Sequence, residues 1–208
     1  MRRLWRPAAA WGMSGAVPFL DDQAMRELGE RAVVVRPEAF PSALAQAARA
    51  EARGLSGWSR AGTGKDRAVA DAVRRDETLW VEPGGDGALA TFARHVEALR
   101  LELNRGAYLG LTGFELQLAR YAPGGFYAAH RDTFRADEAR RITAIAYLNP
   151  GWAPEHGGAL RLHLEGGVVD VPPCAGTLVV FRSHLVLHEV LPSTVERYAL
   201  PAWLRADG

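Results

Sequence analysis

From Phe114 to the C-terminus, apolar side chains recur at every second position. ELQLARY, FYAAHRD, ITAIAYL, ALRLHLE, VVDVP, TLVVF, LHEVLP and RYALPAW all show the alternation, separated by Gly, Pro and charged breaks. A period of two over so few residues predicts short strands. Upstream the period lengthens. Leu89, Phe92, Val96, Leu99 and Leu103 recur at spacings of three and four, which predicts a helix over about residues 87 to 105 packed against something flat. A second helix is predicted over PSALAQAARAEARGL, opened by Pro41 at its first turn, favoured by alanine and leucine, and stopped near Gly54. His95 lies beside the stripe of the longer helix and reads as structural.

Eight closely spaced strands after a mostly helical region predict an α+β chain rather than βαβ units. The expected architecture is a jelly roll, or double-stranded β-helix, with the N-terminal helices packed on one sheet. No repeat or linker divides the chain, so one domain is expected: a loose tail over 1–20, a helical support region over 21–113 and a jelly-roll core over 114–204. The Gly- and charge-rich stretch from Ser59 to Arg67 is a candidate mobile loop.

Composition narrows the function classes. Apolar residues make up 48% and charged residues 24% of 208, so neither disorder nor a membrane span is expected. A net charge of +1 gives little attraction to a phosphate backbone, which argues against non-specific nucleic-acid binding. The single cysteine, Cys174, cannot form an intrachain disulfide and fits a cytoplasmic setting; packed behind two prolines, it is not read as a ligand. The first twenty residues combine arginines with apolar residues. Pro7, Trp11 and Gly12 break that run too early for a signal peptide, and Met13 is an alternative start.

The chemistry concentrates in the strand region. Residues two apart on a strand share a face, so FYAAHRD presents His130 and Asp132 together and turns Arg131 away. His188, embedded in the apolar run LVLHEVLP, completes two imidazoles and one carboxylate, a set that leaves positions open on Fe(II). His184 competes for the third place, four residues earlier, but RSH has the character of a turn. Arg197 follows on the next apolar run. An antiparallel return would bring its guanidinium near the metal, where its fork matches a carboxylate, and Tyr147 could add a hydroxyl to the same group. His156 and His163 have no spacing partner.

YAPGGFYAAHRD, RRITAIAYLNPGW, HGGALRL, HEVLP and ERYALPAWL, in this order over about residues 114 to 204, resemble the catalytic core of prolyl 4-hydroxylase-type oxygenases, especially the bacterial and hypoxia-sensing branch. The resemblance implies His130, Asp132 and His188 as iron ligands and Arg197 as the partner of the distal carboxylate of 2-oxoglutarate. It implies Tyr147 as the aid to Arg197, and Tyr121 as a lining residue near the chelating end. VRRDETLWVEPG resembles a segment that precedes the core in that branch, so Arg74 and Asp76 are expected at a substrate-side rim. One position departs: the hydroxyl-bearing threonine usual four residues after the arginine is Pro201 here, which removes a hydroxyl and a backbone donor.

The implied cofactors are Fe(II), 2-oxoglutarate and dioxygen, with ascorbate as an auxiliary reductant. The implied reaction hydroxylates a C–H bond while 2-oxoglutarate becomes succinate and CO2. A prolyl residue of an intracellular protein is the favoured substrate, and a free amino acid or small metabolite is the alternative. The last strand carries Trp203 where nucleic-acid demethylases resemble a pattern with a second arginine. Phe126, Ile145, Leu160, Val180 and Trp203 are candidates for an apolar wall that keeps water out. A non-enzymatic, cupin-like jelly-roll module is the competing class; it would have no use for a buried Arg197 beside an open metal site.

Overall fold

The computed structural model describes residues 18–62, 71–82, 84–133 and 139–206. Helix α1 (Asp22–Arg31) precedes strand β1 (Val33–Arg36), and α2 (Ser42–Gly54) precedes the short strands β2 (Ser59–Arg60) and β3 (Glu77–Trp80). Helix α3 (Ala88–Ala107) leads into β4 (Gly113–Tyr121), β5 (Tyr127–His130), β6 (Arg140–Tyr147), β7 (Leu160–Leu164), β8 (Gly167–Val171), β9 (Leu178–Arg182), β10 (Leu187–Val190) and β11 (Arg197–Arg205). The eight strands expected from the alternation are all present, and β1, β2 and β3 add three more. The tail over 1–17 lies outside the described residues, as do positions 63–67 of the expected mobile loop, whose start is instead β2.

Local chemistry accounts for the helices. The Asp21 carboxylate caps α1 by accepting from the Ala24 amide at 2.8 Å, an unspent amide that would otherwise face the first turn alone. Helix α2 buries Ala45, Ala48 and Ala52, small residues at helical spacing that let it lie close to α3. The first turn of α3 is satisfied from outside, the Glu51 carboxylate accepting from the Leu89 amide at 3.1 Å.

The strands form two antiparallel sheets, one ordered β1-β9-β6-β11-β4-β3-β2 and the other β5-β10-β7-β8. In β4, β6, β9 and β11 nearly every residue is buried, so the period of two does not separate core from solvent there. It separates two cores. Ile142, Ala144 and Ala146 of β6, with Leu178 and Val180 of β9, face the helices and join Phe92, Leu99 and Leu103 of α3. Ile145 and Tyr147 of β6 face the second sheet and join Leu160, Leu162, Phe181 and Val190. Each large apolar side chain so buried contributes about 1.5–3 kcal/mol. His95 is structural, as expected, set among the rings of Phe19, Phe40 and Phe92 at centroid distances of 5.4, 5.3 and 6.2 Å.

One expectation about topology is corrected. β11 does not return alongside β10 but crosses to the larger sheet, where it pairs with β4 and β6. A strand as apolar on both faces as RYALPAWLR is covered only in the middle of the larger sheet, between the helices and the second sheet. Pro201 sits at this central place opposite Ile145 of β6, while the β4 ladder runs through Ala199↔Ala119 and resumes at Ala202↔Leu116.

Candidate metal centre

His130 ends β5 and His188 lies on β10, and the two are direct cross-strand partners. Asp132 follows two residues later in the bend that leaves β5. His130 Nε2 and His188 Nε2 each lie 3.6 Å from an Asp132 carboxylate oxygen, and the ligand atoms of all three residues fall within 4.8 Å of one another. Both rings are fixed through the other nitrogen. His130 Nδ1 is 2.8 Å from the Ala128 carbonyl and His188 Nδ1 is 3.2 Å from the Val186 carbonyl. A carbonyl only accepts, so Nδ1 carries the proton and Nε2 is free to bind a metal. Thr143 donates to Asp132 Oδ2 at 2.8 Å and contacts Ser183 at 2.9 Å, which holds the carboxylate plane.

The electrostatics suit a cation. Burial pushes the His188 imidazole down to about 4, so it is neutral at ordinary pH. Burial opposes ionisation of Asp132, but the neighbouring imidazoles and the Thr143 hydroxyl outweigh it and hold the acid well below the usual carboxylate range. His184, the rival ligand, is exposed in the turn before β10 and takes no part. His156 accepts from the Ala153 amide and His163 pairs with Glu189, both away from the cluster.

A cavity of about 540 Å³ opens from these ligands between the sheets. Arg197, first residue of β11, lies on its wall and is 1% exposed. Its Nε donates to the Gly158 carbonyl at 2.9 Å, and its Cζ sits 4.9 Å from the Tyr121 ring and 5.2 Å from the Tyr147 ring. No carboxylate pairs with it among the described residues. The Tyr147 hydroxyl is buried beside the Arg197 guanidinium without a well-aligned hydrogen bond, and burial, partly offset by that cation, pushes its pKa up to about 12, so it remains a donor. A buried cation and an unspent donor side by side are costly unless an anion joins them. A carboxylate bound there would satisfy both, which makes the residues present a fit for a dicarboxylate chelating the metal from this side. Tyr121 is the direct strand partner of Arg197 and forms the cavity wall with its ring.

On the other side of the ligands the cavity runs to Trp80, Gln117, Arg140 and Trp203. The two indoles lie 5.9 Å apart, and the Trp203 N–H is buried without an acceptor. Arg140 stacks 4.1 Å over Trp203 and is held by Glu115 at 3.1 Å. Of the expected apolar wall, Ile145, Leu160 and Trp203 line the cavity. Val180 does not, because its parity on β9 turns it toward the helices, and Phe126 packs under the Arg75 guanidinium at 5.5 Å.

At the mouth, Arg74 lines the cavity and makes two bonds to Asp76, at 2.7 and 2.6 Å. The Asp76 side chain is fully buried, so it steadies the arginine from behind. Sequence alternation did not find Tyr127. Its spacing of three from His130 predicts opposite faces, but His188 pairs with His130 while Val190 pairs with Tyr127, so β5 carries one extra residue and both rings turn to the same side. Thr143 was also missed; a threonine facing inward on an apolar strand was the available signal.

Comparison with known proteins agrees with this geometry. Residues 116–205 match the 2OG-Fe(II) oxygenase superfamily. The chain is 36% identical over 140 residues to mouse prolyl hydroxylase EGLN3, covering 63% of this chain, and it spans 58% of the length of that relative. A Pseudomonas putida prolyl-4-hydroxylase superimposes with a TM-score of 0.82 at 37% identity, over 90% of this chain and 99% of the other. A Trichoplax adhaerens prolyl hydroxylase, solved with a hypoxia-inducible-factor oxygen degradation domain peptide, superimposes with a TM-score of 0.77 at 25% identity, over 88% and 87%. The chain belongs to the 2OG-Fe(II) oxygenase superfamily, and within it to the prolyl hydroxylase type.

Proposed function

We propose that the chain is a 2-oxoglutarate-dependent dioxygenase that hydroxylates a prolyl residue in a protein or peptide, and that its two sheets form a double-stranded β-helix. The observation that carries this reading is the placement of the His130, Asp132 and His188 cluster beside a buried, anion-seeking Arg197 and Tyr147 in one cavity. Fe(II) held by His130, Asp132 and His188 supplies, with 2-oxoglutarate and dioxygen, oxidative decarboxylation coupled to C–H hydroxylation. The remaining work belongs to the chain. Arg197 and Tyr147 hold the distal carboxylate, and Tyr121 walls the chelating end. Ile145, Leu160 and Trp203 exclude water around the reacting C–H bond.

The substrate follows from the opposite half of the cavity. Trp80 and Trp203 form an aromatic slot suited to an apolar ring, and the unspent Trp203 N–H offers a donor to a peptide carbonyl. Arg74 stands at the rim where a peptide would cross, oriented by Asp76. The prolyl hydroxylases among the relatives support the same assignment. No helix among the described residues is long and apolar enough to cross a membrane. A cytoplasmic setting and ascorbate as reductant remain part of the proposal. The test is succinate formation from 2-oxoglutarate with Fe(II), together with a gain of one oxygen mass on proline in exposed protein. His130→Ala and Arg197→Ala are each expected to abolish turnover, and unchanged turnover in either sinks the assignment.

A further inference from the structure

The segment before β3 touches the metal cluster through a stack of flat groups. The Asp76 carboxylate grips the Arg74 guanidinium with two bonds; the guanidinium carbon lies 3.9 Å from the Tyr127 ring centroid. Tyr127 in turn lies on His130 with ring centroids 3.6 Å apart and an interplanar angle of 18°. This is the tightest and most nearly parallel ring pair among the described residues. Backbone pairing holds the layers in register. Arg75 donates to the Phe126 carbonyl and Ala128 to the Val73 carbonyl, both at 2.8 Å, with a β-bridge between Arg74 and Tyr127. Segment 73–75 is thereby laid on the edge of the smaller sheet, while β3, directly following, joins the larger one.

His130 needs such support. Its Nδ1 bond to Ala128 fixes one edge of the ring but leaves rotation about that bond, and His188 approaches at 54° rather than flat. A ring laid against its face removes the remaining freedom. The β5 bulge exists in the one place that turns Tyr127 onto that face. We infer that Asp76, Arg74 and Tyr127 are positioning residues for His130: the stacked guanidinium and phenol fix the plane of this ligand and tie the substrate-side rim to the metal centre. The inference rests on His130 being a metal ligand and gives Arg74 a role beyond contact with a peptide. Hydrogen-bonded partners that orient a ligand from behind are worth about 10–100-fold in metal affinity, and a stack that fixes the same ring is expected at the lower end of that range.

The test separates stacking from substrate contact. Co(II) and Fe(II) affinities, and the Co(II) absorption spectrum, are measured without any peptide on the wild-type chain and on Tyr127→Leu, Tyr127→Phe and Arg74→Lys. Tyr127→Leu keeps the Arg74–Asp76 pair and leaves no buried charge alone, so the fold is retained. It is expected to weaken metal binding at least about tenfold and to alter the spectrum. Tyr127→Phe keeps the stack and is expected to bind as the wild type does. Arg74→Lys keeps charge on Asp76 but loses the flat layer, and is expected to fall between them. In the metal-free protein, the His130 ring protons are expected to show a ring-current shift in the wild type and Tyr127→Phe that Tyr127→Leu lacks. Equal metal affinity and spectrum in wild type and Tyr127→Leu would overturn the inference, as would wild-type metal affinity and spectrum in Arg74→Lys. A wild-type chain that takes up no Co(II) would instead overturn the metal reading, and this inference with it.

Discussion

Removing the Tyr147 hydroxyl should move stability and ligand affinity in opposite directions. In the ligand-free chain the oxygen is buried beside the Arg197 guanidinium without a well-aligned hydrogen bond, and the ring centroid lies 5.2 Å from the guanidinium carbon. Tyr147→Phe keeps the ring contact and deletes only the unsatisfied group. A fully unpaired buried hydroxyl costs about 1–3 kcal/mol, and the Arg197 contact offsets part of this, so the variant should be more stable by about 1 kcal/mol. For a chain of this length that corresponds to a rise in Tm of about 2–4 °C. On the proposed function the same hydroxyl would donate to a carboxylate of bound 2-oxoglutarate, a bond worth about 1.5–3 kcal/mol. Its loss should weaken 2-oxoglutarate roughly tenfold to a hundredfold, at about 1.4 kcal/mol per decade. Because the group is held as a donor up to about pH 12, the effect should not vary across ordinary pH. Scanning fluorimetry of the metal-free chain and a 2-oxoglutarate titration at saturating metal read the two arms. A variant that melts lower and binds 2-oxoglutarate as tightly as the wild type would refute the reasoning.

Thr143→Val removes the donor to Asp132 Oδ2 without changing side-chain shape, and should weaken Fe(II) or Co(II) about 10–100-fold by calorimetry. Gly158→Ala places a methyl 2.8 Å from Ser193 Cβ and 3.3 Å from Arg197 Cδ at a φ of +65°, so steady-state kinetics should show KM for 2-oxoglutarate rising more than kcat falls. His95 gives a pH dependence. Burial lowers its folded pKa below the usual 6.5, so the unfolded chain binds the extra proton first, and stability is lost as pH drops below about 6.5. His95→Phe should make that acid limb shallower in urea unfolding at several pH values, leaving the part that buried His188 contributes, and an unchanged limb would show that His95 has no share in it.

The clustering of His130, Asp132 and His188 was legible in the chain because these residues sit on or beside strands whose alternation is largely regular. His130 and Asp132 share a face by spacing alone, and His188 stands out as a polar group within an apolar run. Arg197 lines the cavity of the cluster, but it arrives there by another path than a return alongside β10. Residue spacing cannot show that β11 leaves β10 for the other sheet, since that choice is made by which faces the helices cover. Tyr127 was hidden by a single inserted residue, as a bulge inverts the parity on which every strand argument rests. The pairing of segment 73–75 with β5 joins residues about fifty positions apart across β3, α3 and β4, and no local pattern records it. Helix α1 was missed because its ten residues are mostly polar, with only Ala24 and Leu28 buried.

The central claim is that one cavity couples the decarboxylation of 2-oxoglutarate to the hydroxylation of proline at a centre held by His130, Asp132 and His188. It is tested most directly by incubating the Fe(II)-loaded chain with 2-oxoglutarate, exposed protein substrate and isotopically heavy dioxygen, then tracing the label by mass spectrometry. The account predicts heavy oxygen on proline and in succinate in equal amounts, both lost in Arg197→Ala. Succinate formed with no label on any prolyl residue, or label on proline that survives Arg197→Ala, would contradict it.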